Sequence, residues 1–240
     1  MDNFRHHEDH ILHHHKEEHL KSSEAITDIV IGISDGLTVP FALAAGLSGA
    51  VESSSLILTA GIAEIVAGSI AMGLGGYLAG QTEVEHYDSE LKREYYEVEH
   101  LPEKEKAEVK EVFADYGISE HLQEEIVNEM AKDKDKWVEF MMKFELGLEK
   151  PDTQRAWKSG VTIALAYVAG GLIPLLPYAF TDVPTEGLSY SAVATLICLF
   201  VFGYFKSKVT GQNPWKGAVK VMFIGAIAAA AAFFVAKLFH

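Results

Sequence analysis

Three carboxylates stand where carboxylates are costly. Asp28, Asp35 and Glu64 fall inside tracts otherwise nearly free of charge, AITDIVIGISDGLTVPFALAAGLSG and LILTAGIAEIVAGSIAMGLGGYLAG. An ionised carboxylate at the bilayer centre costs about 2.5–3.5 kcal/mol even on the lenient insertion scale, so such groups normally face a bundle interior or a water-filled path. Glu24, Asp28 and Asp35 are spaced i, i+4 and i+11. At about 100° per residue they share a helical stripe within roughly 40°. A stripe of acids running from the interface into the membrane is what a cation path needs. The plainer reading makes Asp28 interfacial and pairs Asp35 with a lysine. On the second tract Glu64, Gly68 and Met72 follow at i, i+4 and i+8. A hard carboxylate beside a softer thioether favours a transition metal over Mg²⁺ or Ca²⁺, which want oxygen throughout. A lone membrane methionine, however, is more often a packing residue. Pro40 has no N–H to give, which frees the carbonyl of Gly36, next to Asp35. A kinked helix and a carbonyl available to a cation are expected there, with a tolerated kink as the plain alternative.

A second set of acids is soluble in character. Residues 81–150 hold 21 acidic and 10 basic side chains, a net of −11 within a chain whose total is −14. Glu90, Glu94 and Glu97 share one helix face, and Glu105, Glu108 and Glu111 recur at spacing three. Such runs are usually solvated faces, but same-face carboxylates repel one another and a bound cation relieves that repulsion. Met141, Met142 and Glu145 add soft and hard donors, although Met141 also fits an apolar stripe. The start, HHEDHILHHHKEEH, could scavenge metal but has no fixed spacing. Glu83–His86 and Glu97–His100 both read Glu-x-x-His, the spacing of di-iron carboxylate proteins. Both fall on one expected helix, so a single site cannot collect them.

The elements that must position these residues are helices. Five tracts, about 26–50, 54–80, 156–180, 188–206 and 216–238, approach or exceed the roughly 20 apolar residues a spanning helix requires. Helices satisfy their backbone polar groups in lipid. Residues 81–150 also read as helices, with apolar stripes at Val109, Val112, Phe113, Tyr116 and at Trp137, Phe140, Met141, Phe144. Pro102 suits a first turn, and Gly117 and Gly147 suit helix ends. No proline lies between Gly80 and Glu99, so the second span is expected to continue into water as one long helix. Gly32, Gly36, Gly61, Gly68, Gly73, Gly76 and Gly80 supply small faces for packing within a protomer or at a dimer seam.

Loop charge sets the orientation. Lys206, Lys208, Lys216 and Lys220 crowd one connection, and Arg155 and Lys158 flank the third span. The connections around Glu52 and Asp182–Glu186 have no Lys or Arg. The positive-inside rule then places the N-terminus, the acidic block and the lysine connection in the cytosol and the C-terminus on the other side. The polar, His-rich start lacks the apolar core of a secretory signal. A single cysteine, Cys198, excludes an intrachain disulfide. The acidic balance argues against nucleic acid and for cations as partners.

Two runs carry a family resemblance: DIVIGISDGLTVPFALAAGLSGA, and AEIVAGSIAMGLGGYLAGQTEVEHYDSELKRE. With them the chain resembles the vacuolar iron transporter family from Glu24 onward. The resemblance implies a homodimer of five-span protomers that moves Fe²⁺ from the cytosol into the vacuole in exchange for protons. It implies that Asp35, Glu64 and Met72 line a pore at the dimer interface. It further implies that residues 81–150 are a cytosolic metal-binding domain with ligands at Glu94, Glu97, Glu105, Glu108, Met141 and Glu145. The His-rich start is outside the pattern.

The expected fold is all-α: a polytopic membrane protein with five transmembrane helices and a helical cytosolic metal-binding domain. Its parts are a His-rich cytosolic segment (1–25), spans one and two (26–80), the metal-binding domain (81–150) and spans three to five (151–240). The expected protein is a transporter in the vacuolar membrane and not an enzyme, with no prosthetic group. Fe²⁺ is its substrate and Zn²⁺, Co²⁺, Ni²⁺ and Mn²⁺ are further candidates. The pore set is Asp35, Glu64 and Met72 with Glu24, Asp28 and Gly36. A membrane-anchored metal sensor or buffer and a passive divalent-cation channel are the alternatives. Acids within the spans speak against a buffer, and composition does not separate channel from exchanger.

Overall fold

A computed structural model describes residues 23–238, and the described residues are helical with no strand. The elements are α1 (Ser23–Ser48), α2 (Ser54–His100), α3 (Pro102–Asp115), α4 (Glu120–Met130), α5 (Lys134–Phe140), a π-helical turn (Met141–Glu145), α6 (Arg155–Leu175), a 3₁₀ turn (Leu176–Ala179), α7 (Pro184–Val209) and α8 (Pro214–Leu238). Five of them are long and apolar enough to cross a membrane. The His-rich segment lies outside the described residues apart from the start of α1.

α1 runs unbroken through Pro40 and packs against α6, α8, α2 and α7. The small residues predicted to allow close approach do so inside the protomer, and their partner is α6. A Cβ on Gly73 would meet the Gly160 carbonyl oxygen at 2.9 Å, and one on Gly160 would meet that of Gly73 at 2.7 Å. Gly36 abuts the backbone of Tyr167 so closely that any side chain would displace α6. Gly36 therefore has a packing role beside whatever its carbonyl does. The outer face of α2 has no such cover: Leu56, Ile62, Val66, Ile70 and Leu74 are all exposed, the most open being Ile70 at 64%.

α2 is 47 residues long, about 70 Å at 1.5 Å per residue. Its apolar part ends near Gly80 and already exceeds the roughly 30 Å hydrocarbon layer. The charged remainder stands clear and carries the helical insert. There Val98, Val109, Val127, Trp137, Val138, Met141 and Met142 form a separate apolar core. The turns that close the insert are set by glycines at positive φ, Gly117 at 77° and Gly147 at 65°, a region a Cβ disfavours. Pro102 occupies the first turn of α3.

The expected apolar stripes fray at their ends. Tyr116 is 75% exposed and Phe144 is 51% exposed. Tyr116 caps α3 where the chain turns away at Gly117. Phe144 lies in the π turn, in which Leu146 N–H reaches back five residues to the Met141 carbonyl at 3.1 Å. The wider turn takes side chains off the 3.6-residue face. Both Glu-x-x-His pairs do share α2, which removes a four-helix di-iron arrangement built on them.

Candidate metal-handling sites

The intramembrane acids are placed by the three helices that meet at Tyr167. Asp35 on α1 and Glu64 on α2 are both half-buried. Tyr167 on α6 is buried at 2% exposure, and its hydroxyl donates to Glu64 Oε1 at 2.5 Å. Asp35 lies near enough to act on that hydroxyl electrostatically. The second oxygen, Glu64 Oε2, is buried and has no hydrogen-bond partner among the described residues. Gly68 makes room for this pair, since a Cβ there would stand 2.5 Å from the Tyr167 hydroxyl and 2.8 Å from Glu64 Oε1. Met72, half-buried, follows on the same face of α2 two turns further along.

Between the interface and Asp35, the other members of the stripe are tied down. Asp28 Oδ1 accepts from the Ser159 hydroxyl at 2.9 Å. Glu24 is held by Arg155 Nε at 3.0 Å, and the same guanidinium reaches Glu83 of α2 at 2.6 Å. Arg155 thus clasps the start of α1 to α2. Asp35 lies eleven residues beyond Glu24 on α1, about 17 Å along its axis.

The insert gathers a second site from three elements distant in sequence. Ligand oxygens of Glu94 (α2), Glu105 (α3) and Glu145 (π turn) lie within 4.8 Å of one another. Two oxygens about 2.1 Å from one ion can be no more than about 4.2 Å apart, so an ion would draw the trio slightly inward. Glu94 is 2% and Glu105 is 0% exposed, while Glu145 sits at the open rim. The Oε2 atoms of Glu94 and Glu105 are buried without a hydrogen-bond partner among the described residues.

Such burial is unfavourable for the ionised forms. Burial pushes the Glu94 carboxyl up to about 7, with Glu145 and Glu97 adding to the rise. Burial likewise raises Glu105 to about 8, reinforced by Glu108 and Glu94. Glu145 is raised by partial burial and then by Glu108. The only cations at the cluster, among the described residues, are Lys104 and Arg93. Lys104 Nζ stands 2.9 Å from Glu108, 3.5 Å from Glu97 and 3.5 Å from Glu105. Its hydrogen bond to Glu108 lifts its ammonium above the usual lysine range. Arg93 approaches Glu90 at 3.0 Å and Glu97 at 3.6 Å. Five of the six predicted ligands are therefore carboxylates in one neighbourhood, with Glu97 and Glu108 at the rim. The sixth, Met141, is fully buried in the apolar core of the insert.

The sequence pattern did not point to Tyr167, Ser159, Lys104 or Arg93. Tyr167 was legible only as an aromatic with a polar tip in an apolar tract, and such a hydroxyl, when buried, finds a partner. Lys104 and Arg93 look like ordinary members of a charged run until α2 and α3 are brought together.

A family model described as "VIT family" matches residues 26–237. "Vacuolar iron transporter 1" of Arabidopsis thaliana is 56% identical over 227 residues, covering 95% of this chain and 91% of that protein. "Vacuolar iron transporter 1" of Oryza sativa subsp. japonica is 51% identical over 228 residues, covering 95% and 90%. "Protein CCC1" of Saccharomyces cerevisiae is 37% identical over 227 residues, covering 89% and 68%.

Proposed function

The chain belongs to the VIT family, and from that premise we propose that it carries ferrous iron out of the cytosol across the vacuolar membrane, in exchange for protons. The relatives from Arabidopsis thaliana and Oryza sativa named above are both called vacuolar iron transporters. The observation that carries the reading for this chain is Glu64: a carboxylate within a spanning helix, with one oxygen held by Tyr167 and the other buried without a partner. A group of that kind is stabilised by a proton or by a metal cation, and binding one excludes the other.

The insert captures metal on the cytosolic side. Its carboxylates keep protons and two side-chain cations until a divalent ion replaces them. Asp28 and Glu24 lead from the interface to Asp35, and Glu64 with Met72 continues the path on α2. On the vacuolar side an acidic lumen protonates Asp35 and Glu64 and releases the ion. One protomer supplies only two acid-bearing helices, so two copies related by a two-fold axis would double each ligand into a ring. The uncovered apolar face of α2 supports such a contact. The lysine connection supports an insert in the cytosol and a C-terminus in the lumen. Carboxylate and thioether ligands also admit Mn²⁺, Co²⁺, Ni²⁺ and Zn²⁺.

The test is reconstitution into liposomes, following metal uptake and internal pH together. Exchange predicts that metal uptake drives proton exit and accelerates when the interior is acidified beforehand. Uptake with no proton movement makes the protein a channel, and no uptake at all removes the transport reading.

A further inference from the structure

The α7–α8 turn forms a cavity of the opposite sign to the rest of the protein. It has a volume of about 490 Å³ and is lined by Lys206, Lys216 and Lys220, by Ser207, Gln212 and Asn213, and by Thr38 of α1. No acidic residue lines it, and none of the three ammonium groups has an ion-pair partner among the described residues. This is a cation-only pocket in a chain of net charge −14. It cannot be a step on a cation path, because three uncompensated lysines would repel the ion. Nor does orientation by loop charge explain it. Lys208, in the same turn, serves that rule equally well without lining the cavity.

We propose that this cavity binds the phosphate headgroup of an anionic phospholipid in the leaflet that faces the helical insert. Three ammonium groups supply charge-assisted hydrogen bonds to phosphate oxygens, and the first turn of α8, which also lines the cavity, adds the positive end of a helix dipole. A basic pocket between spanning helices at this level is the recognised form of a lipid-headgroup site. Depth favours a lipid over a free anion. The lining continues to Val221 and Ile224, ten residues into α8 and about 15 Å along it. The lysines line the outer part of that length, and the deep end at Val221 and Ile224 is apolar, which suits the glycerol backbone and first acyl carbons of a lipid and gives nothing to a bare phosphate. Trp215, 64% exposed next to the lysines, marks the interfacial level. Through Ser34 and Thr38 the cavity touches the residues flanking Asp35 on α1, so an occupied pocket would brace the helix that carries the ion path.

The test uses the full chain in detergent and native mass spectrometry, with dioctanoyl phosphatidate, dioctanoyl phosphatidylcholine and inorganic phosphate as probes. Phosphatidate should be retained, phosphatidylcholine and phosphate should not. Lys206→Gln, Lys216→Gln and Lys220→Gln together should weaken phosphatidate by roughly 100-fold, from about a fivefold step per lysine near an anionic headgroup. Lys208→Gln should leave retention unchanged and controls for general charge. Equal retention of phosphatidate and phosphatidylcholine, phosphate retained as well as phosphatidate, or Lys208→Gln as damaging as Lys216→Gln would each overturn the proposal. If the triple variant unfolds, the single Lys216→Gln and Lys208→Gln variants decide between the same outcomes.

Discussion

The metal-free insert should lose stability as pH rises through neutrality, the reverse of what paired surface carboxylates do. A carboxyl raised in the folded state contributes stability that is complete below its unfolded value and is lost as pH climbs through the folded one. For Glu94 that window runs from 4.5 to about 7. A full shift of this size corresponds to about 3 kcal/mol at roughly 1.4 kcal/mol per pH unit. Screening by water at the open rim brings it nearer to about 1 kcal/mol. Glu105 acts in the same direction and extends the window to about 8. The perturbation is Glu94→Gln, which keeps the shape and cannot ionise. The assay is hydrogen exchange by mass spectrometry on the full chain, reading peptides of α3 and the π turn and corrected for intrinsic exchange. Wild-type protein without metal should open about 5- to 150-fold more often at pH 8 than at pH 5, following the 1–3 kcal/mol. Added Fe²⁺ or Co²⁺ at pH 8 should restore protection. Glu94→Gln should reduce the pH dependence, leave the part due to Glu105, which extends to about 8, and weaken the metal effect. Protection that is constant or rising between pH 5 and 8 in metal-free wild-type protein would mean that the buried carboxylates ionise without cost.

Three further outcomes follow from position. Glu97→Ala with Glu108→Ala should reduce metal capture several-fold yet leave transport at high metal concentration, because both sit at the rim of the cluster while Glu94, Glu105 and Glu145 remain; uptake against metal concentration reads this. Met72→Leu keeps volume and loses the thioether, so competition assays should show iron uptake weakened about tenfold and a hard ion such as Mn²⁺ less affected. Cysteines placed singly at Ile31, Val39 or Ala42, on the Asp35 side of α1, should cross-link two copies, and SDS gels showing cross-links only from helices other than α1 and α2 would move the path inside one protomer.

The span architecture was readable because its signals are strong and local. Twenty apolar residues in a row need no partner to be recognised, and the absence of proline after Gly80 correctly announced the 47-residue α2. Glycine spacing announced close approach without naming the partner, which α6 turned out to be for Gly61, Gly68, Gly73, Gly76 and Gly80 alike. Charge was harder. Glu94, Glu97, Glu105 and Glu108 form the same kind of pattern as any solvated face, and their burial depends on how α3 folds back against α2. No local rule gives that crossing. The same holds for Tyr167, whose role exists only because α6 packs between α1 and α2. Glu145 reaches the cluster from a π turn, and the one-residue register change there is invisible to a 3.6-residue period.

The central claim is that ions cross the membrane by way of Asp35 and Glu64. Its most direct test is metal uptake into liposomes by Asp35→Ala, in protein whose thermal unfolding and metal binding at the insert match wild type. Low dielectric leaves no nearby water to replace the missing charge, so uptake should fall to the background of empty liposomes with insert binding intact. Uptake by Asp35→Ala at the wild-type rate would contradict it and move the path away from α1.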